Sequence, residues 1–89
     1  MKTTETVEYV KLYDFDFGQA ISFLKHGTKV ARKGWNGKGM WLELSEYGNS
    51  AMYKDRPLQQ HILMATAQGM YIPWLASQSD MLAEDWLEA

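Results

Sequence analysis

The sequence has no cysteine and only two histidines, His26 and His61, in 89 residues. The first absence excludes disulfides and thiolate metal sites, and the second leaves too few imidazoles for an ordinary four-ligand zinc site. Prolines number two. No apolar run approaches the roughly 20 residues of a membrane-spanning helix. The polar, charged start MKTTETVEY does not read as a secretory leader, so a cytoplasmic protein without a membrane partner is expected. Acids are missing from Phe17 to Leu42, and bases from Ser77 to Ala89.

What is present fits one domain, 1–89. A chain this short buries only about 60% of the surface its unfolded form exposes. With disulfides and metal excluded, oligomerisation is the remaining route to added stability. The 13% aromatic content and six methionines suit apolar surface buried between subunits. A net charge of −2 argues against a nucleic-acid polymer as partner, because such binding depends on many cationic phosphate contacts. Lys25, Lys29, Arg32, Lys33 and Lys38 make the acid-free stretch basic, while Asp80, Glu84, Asp85 and Glu88 make the C-terminal stretch acidic. Two readings follow: solvated faces that pair weakly with each other, or a local cationic patch for a small anion.

Periodicity predicts an α+β fold, with one antiparallel sheet, one main helix packed on it and a short C-terminal helix. Val7 to Tyr13 alternates as a strand. Asp16 and Gln19 form a capping box. Phe17, Ala20, Ile21 and Leu24 then follow helical spacing up to Gly27, which suits a left-handed stop. Thr28–Lys33 and Met40–Ser45 read as strands. Glu46–Gln59 reads as a long irregular segment. Gln60–Thr66 and Met70–Trp74 read as strands joined at Gln68-Gly69, with Pro73 marking an edge. Ser77 and Asp80 cap the second helix. Glu84–Ala89 is a last strand that places Trp86 in the core.

The stretch RKGWNGKGMW at 32–41 combines cations, glycines and indoles at a turn signal. With FGQAISFLKHGTKVARKGW at 17–35 and YIPWLASQSDMLAEDW at 71–86, it resembles a family of small phage and bacterial proteins. The best-known members are the second class of Thoeris anti-defence proteins. The resemblance implies a non-enzymatic homotetramer that binds cyclic nucleotide immune signals of the glycocyclic ADP-ribose class and keeps the Thoeris effector silent. It also implies binding of cyclic dinucleotides at a separate site, and action in the cytoplasm of the infected bacterial host. No cofactor is expected.

Such a signal has an adenine, riboses and a pyrophosphate. Trp35, between Gly34 and Asn36, and Trp74, after Pro73, are the candidates for stacking on the base. Their alternative role is core or subunit-interface packing, the commonest fate of tryptophan. Trp41 lies on a strand face with polar neighbours and is a further candidate for a subunit or ligand contact. Arg32 and Lys38 are the candidates for the pyrophosphate. Gly34, Gly37 and Gly39 do not form a nucleotide-binding fingerprint, and turn geometry is their simpler role. Asn36, Ser77, Gln78 and Asp80 add polar groups, and Asp80 suits a ribose hydroxyl or an adenine amine if it is not simply a helix cap.

Two other functions remain open: a small phosphodiesterase or lyase acting on the same signal, and a protein–protein inhibitor acting through its aromatic face. His61, Ser77 and Asp80 carry no local nucleophile signature. Neighbouring side chains such as Glu84 and Asp85 diverge and make a poor acid–base pair.

Overall fold

The computed structural model describes residues 12–35, 38–45 and 52–89. Its elements are β1 (Tyr13–Phe15), α1 (Phe17–Lys25), β2 (Val30–Arg32), a 3-10 turn (Lys33–Trp35), β3 (Trp41–Leu44), β4 (Met52–Tyr53), β5 (Arg56–Pro57), β6 (Ile62–Ala65), β7 (Tyr71–Pro73), α2 (Gln78–Leu82) and β8 (Trp86–Glu88). Six strands form one sheet in the order β1-β8-β2-β3-β6-β7, and every neighbouring pair is antiparallel. This is the expected α+β arrangement, with one main helix on the sheet and a short one near the C-terminus.

Local chemistry sets the boundaries of α1. The Asp16 carboxylate accepts the Gln19 N–H at 2.8 Å, and the Gln19 side chain accepts the Asp16 N–H at 2.9 Å. The reciprocal bonds satisfy donors that a helix start otherwise leaves open. Gly27 closes the helix at φ 85°, where a side chain would be strained. Ala20 and Leu24 are buried against the sheet, while Phe17 and Ile21 pack at the margin of the same cluster. Phe15, Val30, Leu42 and Trp86 complete the core.

The register explains the core face. Arg32 pairs with Trp86, Val30 with both Glu88 and Leu42, and Leu42 with Met64. Side chains of paired residues lie on one face, so β8 carries Trp86 under α1 as expected.

The structure departs from the sequence reading in three places. The second strand stops at Arg32, and Lys33–Trp35 winds into a 3-10 turn. Of the strand expected over Val7–Tyr13, only Tyr13 falls in β1, and residues 7–11 lie outside the described part. The segment read as irregular over 46–59 contains a β4–β5 hairpin pairing Tyr53 with Arg56. The left-handed backbone of this hairpin falls on Lys54, at φ 58°, not on a glycine or asparagine, so no turn signature marked it.

Candidate ligand-binding site

Trp86 is the hub of an indole cluster. It is fully buried. Trp35, at the end of the 3-10 turn, meets it edge-on, with ring centroids 5.6 Å apart at 82°. Trp74, just past β7, meets it edge-on at 6.1 Å and 87°. Phe17, at the first turn of α1, lies 5.6 Å from Trp86 and 6.1 Å from Trp74. Such tilted and edge-to-face pairs suit the ring quadrupole. Trp35 and Trp74 are half-buried, so each keeps part of its surface in solvent while the buried indole fixes its position.

A charged network borders the cluster. The Arg32 Nε donates to Asp85 Oδ1 at 2.8 Å and Nη2 to Asp85 Oδ2 at 3.3 Å, a two-pronged grip. Nη1 donates to Asp80 Oδ1 at 3.1 Å. The other Asp80 oxygen accepts the Ser77 N–H at 3.2 Å and the Ser77 hydroxyl at 2.9 Å. The Trp86 indole N–H donates to the Asp80 carbonyl at 3.0 Å. Burial works against the Asp80 carboxylate, but the Ser77 and Arg32 donors outweigh it and hold its pKa below the ordinary value. Asp85 in turn raises the Arg32 pKa above its ordinary value, with Asp80 adding to the effect. One cation therefore serves two carboxylates.

Of the residues singled out in the sequence, Arg32, Trp35, Trp74, Ser77 and Asp80 gather around Trp86. Gln78 is exposed at the start of α2. Lys38 is exposed on the loop after Trp35, to whose carbonyl its N–H donates at 3.0 Å. Asn36 lies outside the described residues. Trp41 stands apart on the opposite sheet face. Its indole N–H donates to Glu43 at 2.8 Å, Tyr71 donates to the same oxygen at 2.7 Å, and the Lys29 ammonium sits 4.7 Å from the indole centroid. Burial raises the Glu43 pKa, but the Trp41 and Tyr71 donors outweigh it, leaving a net lowering.

The basic stretch does not act as one patch. Arg32 is paired as described, and Lys33 meets Asp14 at 2.9 Å. Lys25 and Lys38 make no ion pair with another described residue. Sequence reasoning missed Asp85 and Phe17. The signal for Asp85 was the acid-free stretch facing a base-free one, since β2–β8 pairing brings the two together. Among the described residues no group of three or more histidine or acidic side chains is placed to hold a metal ion, and no helix is long and apolar enough to cross a membrane.

A family model described as Tad2-like, the Thoeris anti-defense 2-like domain, matches residues 15–89. The chain belongs to this family. A Bacillus phage SP01 protein named Thoeris anti-defense 2 is 40% identical over 79 residues, covering 79% of this chain and 89% of the relative. Membership supports an anti-defence role. The matched span contains every element from the end of β1 onward, and so the whole indole cluster and its charged border.

Proposed function

We propose that the chain binds and sequesters a cyclic nucleotide signal of the glycocyclic ADP-ribose class without altering it, and so silences the Thoeris effector in the cytoplasm of an infected bacterium. The observation that carries this reading is the pair of half-buried indoles, Trp35 and Trp74, fixed around Trp86. Stacking a base on an aromatic side chain contributes about 1–3 kcal/mol. A few such contacts with charge-assisted bonds reach the roughly −12 kcal/mol of nanomolar binding, and a sponge must hold its signal more tightly than the effector does.

The charged border divides the ligand's groups. Arg32 uses three of its five N–H groups on Asp80 and Asp85, so its net field is that of a carboxylate. The pyrophosphate then falls mainly to Lys38, with the two remaining Arg32 donors as secondary contacts. Asp80 faces the neutral donors, a ribose hydroxyl or the adenine amine. Asn36, Ser77 and Gln78 supply further polar contacts. The opposite wall comes from a neighbouring subunit of a homotetramer, which ties binding to assembly.

Calorimetry with glycocyclic ADP-ribose, followed by heat release and mass analysis of the ligand, tests this reading. Tight binding and an unchanged mass are expected; an altered mass makes the protein an enzyme, and silence removes the reading. The Trp74→Ala variant is expected to bind about tenfold or more weakly with its subunit count intact. A cyclic dinucleotide added in the same assay tests for a second ligand class.

A further inference from the structure

α1 packs against β8, β2 and β3, and a cavity of about 200 Å³ lies between its second half, the end of β3 and the start of β6. Ile21 and Leu24 of α1, Leu44 of β3 and Ile62 of β6 form its apolar wall, and Lys25, Gln60 and His61 stand around it. None of these residues belongs to the indole cluster. Lys25 lies eight residues along α1 from Phe17, about 12 Å by helical rise.

The rim is held in place from behind. The His61 backbone N–H donates to the Ser45 hydroxyl at 2.9 Å. The His61 Nδ1 lies 2.8 Å from the Gln59 carbonyl, an acceptor, so Nδ1 carries the proton. That leaves Nε2 as an acceptor. The Gln60 amide donates one N–H to the Ser45 carbonyl at 3.3 Å, which leaves its second N–H to donate. Lys25 contributes a full positive charge and makes no ion pair with another described residue.

We infer that this cavity is a binding site for a compact amphipathic carboxylate, with a branched aliphatic body against Ile21, Leu24, Leu44 and Ile62 and its carboxylate at Lys25. The volume restricts the occupant, because drug-sized pockets run to about 300–1,000 Å³. The apolar wall excludes a free inorganic anion as the best fit, since such an ion gains nothing from aliphatic contact. The ammonium selects a charged head over a neutral one. The second Gln60 N–H adds a hydrogen bond that orients the head, while the His61 Nε2 lone pair, an acceptor, adds none.

The test uses the full chain and two probes of nearly equal shape, isovalerate and isovaleramide, followed by methyl NMR. Isovalerate is expected to shift the Ile21, Leu24, Leu44 and Ile62 methyl signals with a dissociation constant in the millimolar range or below. Isovaleramide is expected to bind at least fivefold more weakly. Lys25→Met should remove that preference while keeping the methyl spectrum of a folded chain. The Trp74→Ala variant should bind isovalerate normally, so a failure here is separable from a failure of the nucleotide reading. Equal affinity for both probes, or shifts spread away from the cavity, would overturn the inference. So would methyl signals that respond to protein dilution but not to isovalerate, which would assign this face to contact between copies.

Discussion

Arg32 shows how one residue can satisfy a sequence pattern and change its meaning. Its place in a basic stretch suggested an anion contact, yet its guanidinium is held by Asp85 and Asp80. The ion pairs join β2 to the α2–β8 segment, and they are partly screened by solvent. Arg32→Met is therefore expected to cost about 1–2 kcal/mol in urea unfolding, more than an isolated surface pair, because two nearby carboxylates lose their shared cation. Asp80 adds a pH dependence with a definite sign. Its native pKa lies below the unfolded value, so its contribution is complete above the unfolded value of about 4 and fades as pH falls through the native one. The thermal midpoint should hold steady from pH 7 to about 5 and decline below about pH 4. Asp80→Asn should lower the midpoint at neutral pH and converge on the parent chain in acid. If the acid limb is unchanged in that variant, Asp80 is not its source.

At the scale of elements, legibility followed the presence of a local signal. Both capping boxes were readable because the carboxylate or hydroxyl and its partner sit three residues apart. Gly27 and Gly69 were readable because left-handed backbone demands them, at φ 85° and 87°. The β4–β5 hairpin was not, since Lys54 takes the left-handed position without a signature residue. The indole cluster was half legible: the sequence marked Trp35 and Trp74 and placed Trp86 in the core, but the β8–β2 register that sets Trp86 beside the Arg32–Trp35 stretch and the tertiary contact of Trp74 with Trp86 were not. Asp16→Ala should cost about 1 kcal/mol, measured by urea unfolding. Ser77→Ala should act differently, because α2 has one turn of helix and depends on its cap. Its loss should also loosen Asp80 and the Trp86 indole N–H bond, seen as increased hydrogen exchange at that indole with little change in the α1 amides. At the β7 edge, the Met70 carbonyl and the Trp74 N–H both point to β6, which turns residues 71 and 73 outward. Pro73 has no N–H to offer there, so the edge is a poor template for another strand.

For the whole molecule, apolar surface and core size are out of balance. Among the described residues the large side chains buried in the core are few: Phe15, Leu24, Val30, Leu42 and Trp86. Eleven large hydrophobics are exposed among the described residues, with Leu75 at 92% and Leu82 at 79%. A domain of this length has only about 5–13 kcal/mol of net stability, and each apolar side chain moved from water contributes about 1.5–3 kcal/mol. Burying even a few of these side chains between copies would rival the stability of the isolated fold. Assembly and folding should then be one equilibrium, and the thermal midpoint should rise with protein concentration. Differential scanning calorimetry from about 1 to 100 μM, paired with native mass spectrometry, measures both quantities. Leu82→Lys, on the exposed side of α2, should reduce the subunit count and abolish the concentration dependence while leaving the far-UV spectrum unchanged at high concentration. A midpoint independent of concentration in the parent chain would mean a lone domain, and the ligand pocket would have to be built from a single copy.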